Sequence, residues 1–122
     1  MSTNLLSLDL ELSSSITERH ACLSEEVTFT CTARGTAIFW GNEAFVEITM
    51  HYQSSPSRGH FRAEVVSYDR TQNCLISSLR FRATDSLNGS RVTCTNRDRS
   101  LYRSFSLHIM SMLMSAYEKV VS

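Results

Sequence analysis

Residues 27–32 read Val-Thr-Phe-Thr-Cys-Thr, a strict alternation of apolar side chains with threonines. Because side chains along a β-strand point alternately to its two faces, the apolar members share one face and the threonines the other. Trp40 follows nearby, and a second cysteine, Cys94, lies in another alternating run, Val-Thr-Cys at residues 92–94. We therefore expect two sheets that share one core, with residues 27–32 as one of the strands that line it.

Seven further stretches have strand character and are separated by turns rich in glycine, asparagine and serine. The predicted strands cover residues 6–12, 27–32, 36–40, 44–52, 60–68, 74–83, 91–96 and 102–109. No stretch of comparable length has the repeat of an amphipathic helix. Eight short strands without a long helix predict an all-β fold, either a sandwich or a barrel.

Length and charge are typical of one globular unit. The chain has 122 residues, and its 12 basic residues balance its 12 acidic ones. A neutral chain offers no electrostatic footprint for nucleic acid or for an anionic membrane, so we expect neither as a partner. The apolar stretch at 105–117 is interrupted by polar residues and is too short to cross a bilayer, so we expect no membrane span.

Domain boundaries follow from the strand pattern. We expect an N-terminal tail at 1–4, one domain at 5–110 and a C-terminal tail at 111–122 that is disordered. Residues 1–15 lack the basic segment and the apolar run of a signal peptide. The chain is therefore expected to be a piece of a longer protein or to lack its leader, and an intracellular protein stays open.

Four cysteines, separated by 9, 43 and 20 positions, contain no Cys-x-x-Cys pair. These intervals differ from common zinc spacings, so we expect no metal site. At least one disulfide is the preferred interpretation, and it indicates an oxidising compartment.

The chain resembles an immunoglobulin-like domain in Val-Thr-Phe-Thr-Cys at 27–31, Trp40, Leu-Arg-Phe at 79–81 and Val-Thr-Cys at 92–94. The resemblance covers roughly residues 5–110 and implies an immunoglobulin-like sandwich of about eight antiparallel strands. It also implies a disulfide between the sheets, with reduced, buried cysteines as the alternative. The family's usual tyrosine two positions before the second cysteine is a valine here, which leaves the subclass open. The residues that the resemblance assigns are the disulfide Cys31–Cys94 and the core side chains Trp40, Phe29, Leu79 and Phe81.

Cys22 and Cys74 are not expected to pair with each other. In the implied fold Cys22 precedes the strand at 27–32, and Cys74 begins the antiparallel strand beside it. Roughly 25 Å therefore separates the two cysteines. Each is then free or has a partner in another domain or chain.

No catalytic set is predicted. The four histidines lie on different predicted turns and strands, and the chain has no nucleophile elbow, phosphate loop or His-Glu-x-x-His motif. We therefore expect a protein that is not an enzyme and has no cofactor.

Binding is the preferred hypothesis, because loops at the ends of a rigid sandwich form its usual recognition surface. The candidate loops are residues 34–36, 53–59 and 97–100. The loop at 97–100 and its neighbour combine charges with an aromatic ring, a composition enriched at interfaces. The residues are Arg97, Asp98, Arg99 and Tyr102. The alternative interpretation is an ordinary solvated turn.

Two other surface features follow from the pattern. Asn88 begins an Asn-Gly-Ser glycosylation sequon on a predicted turn, with a plain Asn-Gly turn as the alternative. Phe39, Met50 and Tyr52 form an apolar face for another domain if they point outward, with a face covered by the chain's own tail as the alternative.

These observations favour an extracellular recognition or adhesion module that binds another protein domain, a receptor or itself without covalent chemistry. It would belong to a cell-surface or secreted protein. The alternative is a structural spacer of a multidomain chain that has no specific ligand.

Overall fold

The computed structural model describes residues 9–16 and 20–110 of the chain. The predicted tails at 1–4 and 111–122 lie outside these ranges. A short 3₁₀ turn covers Asp85–Leu87, and all other regular elements are strands. The strands are β1 Leu10–Ser14, β2 Ala21–Cys22, β3 Glu26–Arg34, β4 Ala37–Asn42, β5 Val46–His51, β6 Ser57–Arg58, β7 Phe61–Asp69, β8 Cys74–Arg82, β9 Arg91–Asn96, β10 Tyr102–Ser106 and β11 Ile109–Met110.

The strands form two antiparallel sheets that pack face to face. One sheet has the order β1-β3-β8-β7-β6, and the other has the order β10-β9-β4-β5. A third, two-stranded pairing joins β2 and β11 in parallel. The predicted all-β, two-sheet sandwich is therefore confirmed, with a somewhat different strand count because three of the strands have only two residues.

Strand β3 lines the core in the way that its alternation predicts. Val27, Phe29, Cys31 and Ala33 are fully buried, whereas the threonines between them are half-buried on the outer face. β3 pairs with β1 on one side and with β8 on the other, so its backbone groups are used on both edges. The inward face of residues 27–32 thus forms the centre of one layer.

A disulfide joins the two layers. Cys31 on β3 is bonded to Cys94 on β9, with their Cα atoms 6.4 Å apart. Trp40 on β4 pairs with Cys94 in the register of the second sheet and is fully buried beside the bond. Phe29, Leu79 and Phe81 belong to the same core cluster, and the Phe29 and Phe81 rings stack with centroids 6.0 Å apart.

The first and the last predicted strands have different bounds in the structure. The first strand covers Leu10–Ser14, and residues 6–8 of the predicted strand lie outside the described residues. The predicted strand at 102–109 is split, because after Ser106 the chain leaves β9 and pairs with β2. Hydrogen bonds from Leu107 N to Ser90 O, 2.8 Å, and from Gly89 N to Leu107 O, 2.9 Å, hold the crossing point.

Cys22 and Cys74 lie at opposite ends of the five-stranded sheet, as predicted. Cys74 is the register partner of Arg34, at the end of β3. Cys22 precedes the start of β3, where Ser24 N donates to Ala83 O at 2.8 Å. The full length of the β3–β8 pairing therefore separates the two side chains.

Candidate recognition cleft

Three chain reversals meet at one end of the sandwich. They are the β3–β4 connection at 35–36, the β7–β8 turn at 70–73 and the β9–β10 turn at 97–101. Together with Asp9 and Arg34 they line an open cleft of about 540 Å³. This volume lies within the usual range for ligand pockets. We call it the loop cleft; its lining residues are Asp9, Arg34, Gly35, Asn73, Asn96, Arg97, Asp98, Ser100 and Leu101.

Gly35 allows the β3–β4 connection to lie close to the other two reversals. Its φ is +114°, a conformation that side-chain-bearing residues rarely adopt. Its N–H donates to Asn73 O at 2.7 Å, which ties the connection to the β7–β8 turn. A Cβ at this position would lie 3.5 Å from Arg97 Cβ, so the connection also contacts the β9–β10 turn. Gly35 therefore connects the three reversals through one backbone hydrogen bond and one close contact.

The β9–β10 turn is held by its own hydrogen bonds. Asn96 Oδ1 accepts from Leu101 N at 3.0 Å, and Arg99 N donates to Asn96 O at 3.0 Å. Asp98 Oδ1 accepts from the Ser100 hydroxyl at 2.6 Å and from Ser100 N at 3.1 Å. These bonds, led by the hydroxyl, hold the pKa of the Asp98 carboxyl below its ordinary value. The turn thus presents a fixed carboxylate at neutral pH.

One of the two cations that line the loop cleft has no partner in the described residues. Arg97 is exposed and has no hydrogen-bond or ion-pair partner within residues 9–16 and 20–110. The other cation of the lining is occupied, because Arg34 Nε donates to Asp9 Oδ1 at 2.9 Å and its Nη1 donates to Gln72 O at 2.9 Å. The loop cleft therefore combines one unpaired cation with a fixed anion, two side-chain amides and one hydroxyl.

Arg99 lies outside the loop cleft, on the outer face of the four-stranded sheet. Its guanidinium stands 3.8 Å from the centroid of the Phe39 ring. It also donates to both carboxylate oxygens of Glu47, at 3.0 and 2.9 Å. The hydrogen bond from Arg99 lowers the pKa of Glu47, and the same bond raises the pKa of Arg99. Arg99 thus anchors the turn to β4 and β5.

Tyr102 lies on this same outer face. It pairs with Thr95, which in turn pairs with Phe39, so the three side chains form one row across the sheet. Its side chain is 66% exposed, among the most exposed large apolar residues of the described chain. The four predicted binding residues are therefore divided, with Arg97 and Asp98 in the loop cleft and Arg99 and Tyr102 on the sheet.

The predicted apolar face of Phe39, Met50 and Tyr52 is wrong. Met50 is fully buried because it pairs with Ile38, an inward residue, across β4 and β5. Phe39 does point outward, but the guanidinium of Arg99 covers its ring. Tyr52 is half-buried and stacks on Tyr68, with ring centroids 4.5 Å apart.

The candidate loop at 53–59 does not line the loop cleft. It contains β6, which pairs with the start of β7 at the other end of the five-stranded sheet. Asn73, which sequence reasoning missed, takes its place at the cleft. Asn73 has a φ of +53°, and its Oδ1 accepts from the Tyr68 hydroxyl at 2.8 Å. Its position at the end of the Asp-Arg-Thr-Gln-Asn turn at 69–73 could have indicated this role, because asparagine tolerates the left-handed conformation that such turns require.

Asn88 is exposed at the turn after the 3₁₀ segment. Its Oδ1 accepts from Ile109 N at 2.9 Å, a bond that leaves its amide nitrogen uncommitted. Ser90 is buried, and its hydroxyl donates to Leu87 O at 2.7 Å. Glycosylation at Asn88 stays a prediction.

Two features are absent from the described residues. No helix there is long and apolar enough to cross a membrane. The same residues contain no group of three or more His, Cys, Asp or Glu side chains that is placed to hold a metal ion. In comparisons with known proteins, no family matches the chain and no curated protein matches it significantly.

Proposed function

We propose that the chain is an immunoglobulin-like recognition module of a cell-surface or secreted protein, and that it binds a protein partner through the loop cleft. The observation that carries the proposal is the convergence of three separate reversals on one cleft, fixed from below by Gly35 and by the hydrogen bonds of the β9–β10 turn. A preorganised site loses less conformational entropy on binding, which favours recognition over a solvated surface turn.

The strand order supports the immunoglobulin-like part of the proposal. In that family strands A, B, E and D form one sheet and G, F and C the other, as β1-β3-β8-β7 and β10-β9-β4 do here. β5 extends the second sheet in the manner of strand C′ of a variable-type domain. β6, however, pairs with β7 in the first sheet. The disulfide and the tryptophan beside it occupy the places that the family's pattern gives them.

The disulfide also supports the extracellular part. Cross-links of this kind persist in oxidising compartments and are rare in the cytosol. Thiol titration of denatured protein, made without added reductant in a secretory host, tests this point. We expect the core disulfide to be intact, and four titratable thiols in that preparation would contradict an extracellular domain.

Binding of fluorescent tetramers of the domain to a panel of cell types tests recognition. Wild type is expected to label some cells, and Arg97→Ala is expected to remove most of that labelling because it deletes the unpaired cation of the loop cleft. Arg70→Ala is the matched control: Arg70 is exposed in the β7–β8 turn but does not line the cleft. No labelling of any cell, or equal labelling by both variants, would favour a structural spacer.

A further inference from the structure

A second cleft, of about 500 Å³, lies at the opposite end of the five-stranded sheet from the loop cleft. It is found where β3 begins and β8 ends. Three arginines and a histidine contribute to its lining, and we call it the basic cleft: Arg62, Arg80, Arg82 and His60, with Glu26 also in the lining. The three arginines outnumber the two carboxylates at this place, which are Glu26 and the Glu64 that pairs with Arg80, so a net positive charge remains on a chain that is neutral as a whole.

The register of the sheet places two of these arginines against each other. Arg62 on β7 and Arg80 on β8 are direct cross-strand partners. Like charges in this position destabilise a sheet, because their Cβ atoms are only about 4.5–5.5 Å apart. Arg80 is compensated by an ion pair with Glu64. Arg62 is exposed and has no ion-pair partner in the described part of the chain, so the fold gains nothing evident from its charge.

The third arginine is already oriented by the fold. Arg82 Nη1 donates to Ser24 O at 3.1 Å, which directs the guanidinium. Its cross-strand partner on β3 is Glu26, a carboxylate that lies opposite it without a direct ion pair among the described residues. A guanidinium has several N–H donors in a planar fork, so both Arg62 and Arg82 retain donors for an anion. Arginine forks match the oxygens of sulfate, phosphate and carboxylate groups.

The surroundings of the basic cleft narrow the class of ligand. β7 and β8 are hydrogen-bonded on both sides at Arg62 and Arg80, so a peptide cannot add to them as a further strand. Two rings lie in the lining, Phe81, which is only 3% exposed, and the exposed imidazole of His60. One small ring is not the row of platforms on which successive nucleic-acid bases stack. A ligand that is read by its anionic groups alone fits best.

We propose that the basic cleft binds the sulfate groups of an anionic polysaccharide. The choice of a sulfated glycan rests on the extracellular location in the proposed function, whereas the anion site rests on the arginines themselves. In the free protein the ion pair with Glu64 uses some of the N–H donors of the Arg80 guanidinium. A bound sulfate therefore competes with Glu64 for the same guanidinium, and removal of the Glu64 charge frees Arg80 for the ligand.

Calorimetric titration with a sulfated heparin octasaccharide tests the proposal, at about 0.05 M and about 0.15 M salt. Wild type is expected to bind, more weakly at the higher salt, and the desulfated octasaccharide is not. Arg62→Ala is expected to weaken binding about tenfold through the loss of charge-assisted hydrogen bonds. Arg70→Ala, an exposed arginine at the far end of the same hairpin, is expected to change the affinity by less than about twofold.

A gain of affinity separates a site from a merely structural cluster. Glu64→Gln is expected to tighten binding about threefold, since it releases Arg80 at the cost of one charge-assisted pair. Glu11→Gln is the matched control, because Glu11 is exposed on β1 of the same sheet and makes no ion pair. Arg62→Ala is also expected to retain or raise the Tm, since it relieves the repulsion between Arg62 and Arg80.

Several outcomes would overturn the proposal. The first is an affinity for the octasaccharide that rises equally in Glu64→Gln and Glu11→Gln, or falls equally in Arg62→Ala and Arg70→Ala. The second is a Tm that Arg62→Ala lowers. The third is polyglutamate of the same charge binding as tightly as the octasaccharide. Arg97→Ala keeps the two proposals apart, because it is expected to leave octasaccharide binding unchanged. Loss of its cell labelling with intact octasaccharide binding supports both sites separately.

Discussion

The hydroxyl of Ser77 accepts the hydrogen bond of the buried tryptophan, and its replacement tests how the two sheets are joined. It lies on β8, fully buried, opposite Cys31 in the register. Trp40 Nε1 donates to Ser77 Oγ at 3.0 Å, and Ser77 Oγ donates in turn to Glu64 O at 2.9 Å. This chain of bonds connects the four-stranded sheet to the five-stranded one without a covalent link.

Ser77→Ala removes both bonds and leaves the indole N–H buried without a partner. A buried donor that loses its acceptor costs about 1–3 kcal/mol of the free energy of unfolding. For a domain of this size, where 1 kcal/mol corresponds to about 4 °C, the Tm is expected to fall by roughly 4–12 °C. Thermal and urea unfolding, followed by tryptophan fluorescence and by circular dichroism, measure the loss.

Two further variants isolate the cause. Ser78→Ala is the matched control, because Ser78 is the next residue of β8 and makes no side-chain hydrogen bond in the described chain. Trp40→Phe removes the donor, so Ser77→Ala is expected to cost clearly less in that background than in wild type. Strict additivity of the two substitutions, or an equal loss in Ser78→Ala, would refute the reasoning.

Three other predictions concern the disulfide, a close contact and an ion pair. Replacing both half-cystines of the core disulfide with alanine removes a cross-link across 63 positions and is expected to cost about 4 kcal/mol in urea unfolding; a wild type whose stability does not respond to reductant contradicts this. Gly41→Ala places a Cβ against Thr93 Oγ1 and is expected to cost about 1–3 kcal/mol, which Thr93→Ala should partly restore. Arg99→Ala is expected to lower the Tm slightly at neutral pH. Because the pKa of Glu47 is depressed in the folded state, its contribution is present above the ordinary carboxyl pKa and is lost as the pH falls through the lowered one. The difference in Tm between Arg99→Ala and wild type should therefore shrink in acid to the part contributed by the contact of Arg99 with Phe39. A difference that is constant from neutral to acidic pH is evidence against the ion pair.

Alternation predicted the two-sheet fold well, since a strand with one buried face must repeat its apolar residues every second position. Residues 27–32 show this directly, and so do Leu79 and Phe81 on β8. The outward direction predicted for Met50 conflicted with this same rule. Ile48 and Met50 alternate with Glu47, Thr49 and His51, so the repeat places Met50 on the inward face.

The candidate site was predicted in part. The turn at 97–100 was recognised from its composition, yet its residues separate to two surfaces because Arg99 adopts a φ of +62° and turns towards β4 and β5. Neither the contact of Gly35 with Asn73 nor the opposition of Arg62 and Arg80 is encoded locally. Both arise from residues that are distant in sequence and that pairing brings together.

The sequence by itself determined the eight long strands, their inward faces and the positions of the two cysteines that tie the sheets, because each depends on a local repeat or on residue type. Only the tertiary structure decided which loops share a cleft, which arginines are compensated and which hydroxyl serves the buried tryptophan. Those outcomes depend on strand register and on the packing of one sheet over the other. A shift of one residue in a pairing reverses the face of every side chain on that strand, so they follow from the assembled fold.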